Sequence, residues 1–212
     1  MSVTAITLAQ VMTVTVIEYD QAMGRWEPNA RGRLERAALE LYSERGFDQT
    51  TVAEIAERAG LTERTFFRHF ADKREVLFGG QDALRELIVT TLAEAPESTA
   101  PIEAVGACIR AAGAMLQGFS SRARQRQAVI DANPELQERE LIKLATLATA
   151  IAAALRQRGV PDPAASLAAE AGIAVFRIAF ERWVSQPGDG DRDLPQLIQE
   201  SLDELKAVTT GG

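Results

Sequence analysis

Two helix-start signals eleven residues apart, with one glycine between them, constrain this chain more than any other feature. In TTVAEIAERAG, Thr51 and Glu54 form the T-x-x-E pattern of a capping box, in which a hydroxyl and a carboxylate satisfy orphan backbone N–H groups at a helix start. Val52, Ile55, Ala56 and Ala59 supply an inward face at helical spacing, and Gly60 ends the run. Thr62 then caps a further short helix, ERTFFRHF, separated from the one before it only by Gly60 and Leu61. Two short helices joined by a tight glycine-containing turn make a helix-turn-helix.

The rest of the chain is helical as well. Leu34, Ala37, Ala38, Leu41 and Tyr42 recur at helical spacing from Asn29 until Gly46, giving helix one. Asp72 and Glu75 repeat the capping box and predict a fourth helix from about Lys73 to Ala93. After the break APESTAP come PIEAVGACIRAAGAMLQGF, SRARQRQAVIDAN, PELQERELIKLATLATAIAAALRQRG, PAASLAAEAGIAVFRIAFERWVSQ and LPQLIQESLDELKAV, for nine helices in all. The expectation is an all-α protein in three parts: a poorly ordered tail over residues 1–28, a three-helix helix-turn-helix domain over 29–78, and a helical domain over 79–212. The first 22 residues are rich in Val, Thr and Ile and carry no base, which lacks the basic region of a secretory signal and leaves Met23 as an alternative start.

Cys108, the single cysteine, cannot form an internal disulfide, and no run of about 18 apolar residues stands out to span a bilayer, so a cytoplasmic chain is expected. The net charge of −7 argues at first against nucleic acid, but residues 1–22 carry −2, residues 23–80 are neutral and residues 81–212 carry −5. Local placement of charge, not the total, must decide the partner.

On the third helix Leu61, Phe66 and Phe70 form a buried stripe, while Arg64, Thr65 and Arg68 lie near one face and Phe67 falls about 100° round from Phe66, bordering the exposed side. Periodicity alone leaves the two arginines equally suited to solvating a surface helix. A helix of this width also enters the major groove of duplex DNA, where Arg pairs with guanine and Thr meets a thymine methyl or a phosphate. Thr50, Thr51, Thr62 and Lys73 stand at helix starts, where hydroxyls, N–H groups and an ammonium bind phosphates, and Arg31 and Arg33 can reach a phosphate or the minor groove. His69, the only histidine, has no second ligand for a metal and no triad partner, leaving a phosphate contact, a capping role or a plain structural one.

The block Arg33–Phe78 resembles the DNA-binding domain of TetR-family transcriptional regulators. The resemblance rests on G-F-x-x-T-T-V-x-x-I-A-x-x-A-G at Gly46–Gly60 and T-x-x-x-F-x-R-H-F-x-x-K at Thr62–Lys73. It implies a homodimeric, ligand-released repressor whose third helix reads a palindromic operator. By position it gives Thr50 and Lys73 phosphate-contacting places and puts Thr65 and Arg68 on the recognition helix. Phe67 departs from the pattern, standing where these regulators often have a tyrosine, and Arg64 replaces a frequent small residue.

The segment from Ser120 to Gly159 and FRIAFERWV resemble the C-terminal domain of the mycofactocin-type subgroup, which implies a mainly apolar effector, among them fatty-acyl coenzyme A thioesters. Arg122, Arg124 and Arg126 are either anchors for such an anion or a solvated face. Apolar side chains on these helices fill cores more often than they line cavities; the ligand candidates are Met115, Phe119, Ile130, Leu144, Phe176, Phe180 and Arg177, the last expected to be buried in AVFRIAF with Glu181 as its alternative partner. Ala168, Ala169, Ala171, Gly172 and Ala174 allow close helix approach, so this helix and the last are expected to form a dimer interface with Trp183 as anchor. The sequence holds no nucleophile–base set, metal-ligand cluster or phosphate-cradling loop, so neither an enzyme nor a cofactor is expected. The rivals are an enzyme acting on an acyl thioester or other apolar small molecule, and a helical interaction module that no longer binds DNA.

Overall fold

The first helix starts where Asn29, in the left-handed conformation at φ 59°, turns its side chain to accept a hydrogen bond from the Gly32 N–H at 2.8 Å. The structure is a computed structural model and describes residues 29–186 and 192–210; the expected tail at 1–28 and the alternative start at Met23 lie outside the described residues. Among the described residues the chain forms nine α-helices and one 3-10 turn. They are α1 (Ala30–Arg45), α2 (Val52–Arg58), α3 (Glu63–His69), the turn Glu75–Phe78, α4 (Gln81–Glu94), α5 (Pro101–Gln117), α6 (Ser120–Asp131), α7 (Pro134–Gln157), α8 (Asp162–Val184) and α9 (Leu194–Thr210).

One expected element is divided. The helix foreseen from Lys73 to Ala93 is a 3-10 turn, then Gly79 and Gly80, then α4. Asp72 does accept from the N–H groups of Arg74 (2.8 Å) and Glu75 (3.3 Å), but the reciprocal bond of a capping box is missing. Glu75 instead turns its carboxylate to Arg139 (2.6 Å) and Lys143 (3.1 Å) of α7.

Apolar side chains collect in two clusters. The body cluster joins Ile88 and Leu92 of α4, Val105 and Ile109 of α5, Ile151 and Leu155 of α7, Ala169 and Ile173 of α8, and Ile198 and Leu202 of α9. Gly172 lets Val105 press against the α8 backbone, a place a Cβ would fill. Arg158, after α7, donates to the carbonyls of Leu92 (2.7 Å), Ala95 (2.6 Å) and Pro96 (2.8 Å), so one guanidinium caps α4 and ties it to the end of α7. Contrary to the sequence expectation, α8 holds a stretch apolar enough to cross a bilayer by length and composition; here it is a bundle helix packed on α5, α7 and α9.

The head cluster joins Leu34, Leu41 and Tyr42 of α1, Phe47, Ile55 of α2, Phe66 and Phe70 of the α3 region, and Val76, Leu77 and Phe78. Val129 and Ile130 of α6 and Leu136 of α7 belong to this same cluster. The helix-turn-helix head and the body thus share one buried seam.

Candidate nucleic-acid interface

The turn between α2 and α3 is built from backbone groups. Gly60, at φ 65°, adopts a left-handed conformation suited to glycine; its N–H bonds Glu57 O (2.8 Å) while Leu61 N–H bonds Ala56 O (2.8 Å), the two bonds of a Schellman motif. The Arg33 guanidinium donates to Ala59 O and, at 3.3 Å, to Gly60 O. A Cβ at residue 60 would stand 2.8 Å from Arg33 Nη2, so the arginine and the glycine are matched.

Both short helices are capped as their sequences require. The Thr51 hydroxyl accepts from Glu54 N–H (3.3 Å), and the Glu54 carboxylate accepts from the Thr51 N–H (2.8 Å) and hydroxyl (2.9 Å). Those bonds, with Arg45 at 2.6 Å, hold the Glu54 carboxyl below the usual carboxylate range. Thr62 accepts from Thr65 N–H at 3.2 Å, and the two hydroxyls share a bond at 3.1 Å.

On α3, Phe66 is fully buried and its ring lies 5.5 Å from that of Phe70. Phe67 packs its edge on Phe66 at 5.5 Å yet leaves 55% of its surface exposed. Thr62, Arg64 and Arg68 are exposed and Thr65 is half-buried, so these four and Phe67 are brought together on the outer face. Half-buried His69 sits beside Phe70, ring centres 6.4 Å apart.

Four other sequence candidates have their polar groups engaged within the head. Thr50 is 1% exposed and its hydroxyl donates to Gly46 O at 2.8 Å, so it folds the turn after α1 instead of offering its hydroxyl to a phosphate. Lys73 directs its ammonium to the carbonyls of Phe47 (2.9 Å), Thr50 (3.2 Å) and Asp48 (3.4 Å), 4.2 Å from the Phe47 ring centre. Arg31 donates to Gly79 O (2.6 Å), pairs with Glu35 (3.3 Å) and lies 5.1 Å from the Phe70 ring centre, while Arg33 holds the turn already described. Thr51 keeps an exposed place at the start of α2.

In the body, Met115 and Phe119 are exposed, whereas Leu144, Phe176 and Phe180 are half-buried against the body cluster, with the last two rings stacked at 5.9 Å. Ile130 is fully buried, but in the head cluster, which takes it out of the ligand set. Arg177 is exposed, not buried, because helical rotation carries it, with Ile178, off the inward stripe that Phe176 and Ala179 occupy. Trp183 is buried within the body, 5.6 Å from Phe180, and so is no surface anchor. The buried Cys108 thiol donates to Val105 O, and burial pushes its pKa up to about 12.

Sequence reasoning did not reveal which cations join head to body. Arg126 donates to Leu77 O (2.7 Å), pairs with Glu140 (2.9 Å) and lies 4.9 Å from the Phe78 ring centre. Arg126 is therefore no free anchor for an anion, and Glu75 holds Arg139 and Lys143 beside it. The i, i+4 spacing of Arg139 and Lys143 was visible in the sequence; a carboxylate 64 and 68 residues away was not.

Fold and surface together define a helix-turn-helix protein whose head is carried on an all-helical body. Residues 35–79 match the family described as bacterial regulatory proteins, tetR family, and residues 99–210 match the MftR C-terminal domain. The transcriptional regulator TcmR of Streptomyces glaucescens is 41% identical over 81 residues, a match spanning 38% of this chain and only 36% of TcmR. MftR of Mycobacterium tuberculosis, named for mycofactocin biosynthesis, is 25% identical over 169 residues, spanning 78% of this chain and 85% of that protein. The crystal structure of Thermus thermophilus FadR, a TetR-family repressor in complex with lauroyl-CoA, is 27% identical with a TM-score of 0.52 and covers 83% of this chain and 93% of its own. The chain belongs to the tetR family of bacterial transcriptional regulators and carries an MftR-type C-terminal domain.

Proposed function

We propose that the chain is a ligand-released repressor, acting in the cytoplasm, that binds a palindromic operator as a homodimer. The observation that carries this reading is the outer face of α3, where Arg64, Phe67 and Arg68 stand exposed beside Thr62 and Thr65 on a helix of groove-entering size. Arg64 reads a guanine edge, Phe67 packs on sugar or a thymine methyl, and Thr51 offers its helix N-terminus to a phosphate. Thr50, Lys73, Arg31 and Arg33 hold the head in shape behind that face.

The dimer is supported by the outer side of α8, where Leu167 is 71% and Ile178 45% exposed, next to α9 with Val208 79% exposed. Pairing α8 and α9 with their copies sets two recognition helices about 34 Å apart, one turn of duplex. The effector is a mainly apolar molecule, with an acyl coenzyme A thioester supported by the lauroyl-CoA bound to Thermus thermophilus FadR. Phe119, Leu144, Phe176 and Phe180, with Met115, are the walls we assign to it. Such a ligand acts by preferring a head spacing that the operator does not fit.

Fluorescence anisotropy with duplex DNA flanking the gene tests this. Affinity should fall steeply with salt, Arg64→Ala should cost about 1–3 kcal/mol, and lauroyl-CoA should release the complex. Equal binding to unrelated DNA in low salt would leave a helical interaction module as the better reading.

A further inference from the structure

The seam between head and body is closed along one side and open along the other. The closed side has Glu75 on Arg139 and Lys143, and Arg126 on Leu77 O and Glu140. On the open side, a cleft of about 620 Å³ lies between the end of α1 with its following turn and the last two turns of α6. Gln125 and Arg126 are neighbours in sequence but about 100° apart on α6, so one faces the cleft and the other the ion pairs. None of the body residues assigned above to the effector lines this cleft.

Its lining specifies a ligand chemistry. Tyr42 and Phe47 are buried aromatic residues beneath its floor, the Tyr42 hydroxyl committed to Lys73 O at 2.6 Å, and Val129 and Ala132 add apolar lining. Ala128 leaves room opposite the two aromatic residues. On the α6 side each amide has one of its two N–H groups engaged, Gln125 Nε2 donating to Ser43 Oγ (2.9 Å) and Asn133 Nδ2 to Val129 O (2.6 Å). Their carbonyl oxygens and the Asp48 carboxylate remain as acceptors. Among the described residues no lysine or arginine lines the cleft, so none of them meets a phosphate or carboxylate there.

We propose that this cleft is a second effector site, taking a small aromatic or apolar molecule that carries hydrogen-bond donors and either no charge or one positive charge. An occupant stands between α1 and α6, beside the side-chain bridge from Gln125 to Ser43. Spreading these two helices turns the head about the ion-paired side and changes the spacing of the two α3 helices in a dimer. Binding at the cleft is independent of the operator reading; the effect on DNA rests on it.

Benzamidine, benzamide and benzoate share a shape and differ in charge, and ligand-observed saturation-transfer NMR on the DNA-free protein reads their binding directly. Benzamidine and benzamide should bind and benzoate should not. Ala128→Phe, which fills the cleft from an exposed position, should weaken benzamidine on the order of tenfold or more with the melting temperature kept. Should that variant fail to fold, Asp48→Asn serves instead: it should reduce the preference for benzamidine over benzamide. Benzoate binding as well as benzamidine, or binding undiminished in either variant, overturns the site. Benzamidine that binds yet leaves operator affinity unchanged, in a protein that does bind its operator, overturns the effector role alone.

Discussion

Replacing Glu75 by glutamine removes one charge from the closed side of the head–body seam while keeping the side chain's size. The two carboxylate oxygens meet Arg139 Nε at 2.6 Å and Lys143 Nζ at 3.1 Å, with Glu75 and Lys143 each 20% exposed and Arg139 34%. Fully exposed pairs contribute about 0–1 kcal/mol and breaking a fully buried pair costs about 3–5 kcal/mol. These groups stand between, and the glutamine amide nitrogen would put a donor against one cation, so Glu75→Gln should cost about 2 kcal/mol. That is about 30-fold in the folding equilibrium. Urea unfolding at fixed protein concentration measures the change. The pH dependence gives a second check. Burial pushes the Glu75 carboxyl up, but the hydrogen bonds and charges of Arg139 and Lys143 outweigh it, so its folded pKa lies below the ordinary 4.5. The stabilisation is then fully present above pH 4.5 and is lost as pH falls through the lower folded value, so wild type and variant should converge in acid. A loss under about 0.5 kcal/mol at neutral pH, or no coupling between Glu75→Gln and Lys143→Met in a double-mutant cycle, would refute the reasoning.

Two further outcomes are expected. Thr62→Ala removes the cap of a seven-residue helix and should lower head stability by about 1 kcal/mol, with Thr62→Ser restoring most of it in thermal unfolding. The Cys108 thiol, pushed up to about 12 inside the body, should not react with a disulfide reagent at pH 8 until urea unfolds the chain.

What the sequence displayed well was local. Thr51 with Glu54, Gly60, and Thr62 with Thr65 satisfy one another within a few residues, so caps and turn could be read from spacing. Phe66 and Phe67 divided between inside and outside because helical rotation alone separates them by about 100°. The same rotation shows the error at Arg177: its neighbours Phe176 and Ala179 look inward, yet it lies outside, and proximity along the chain was the wrong guide. Glu75 was read as the second half of a capping box because its true partners lie on α7. Helix-start position and resemblance both point Lys73 and Thr50 at DNA, while the carbonyls that hold Lys73 lie 23 to 26 residues away in sequence. Ile130 shows the limit for apolar side chains, since an inward-facing isoleucine does not reveal which of two clusters it enters.

The shared core has a consequence for engineering. DNA-binding heads are natural parts to exchange between regulators, and a graft cut after residue 78 would follow the motif boundary read from the sequence. In this chain such a graft would take Leu77 and Phe78 away from Val129, Ile130 and Leu136, and strand Arg139 and Lys143 without Glu75. A transplanted head would work here only if it brought a matching underside, so α6 and the start of α7 belong to the exchangeable unit as much as the three helices of the head.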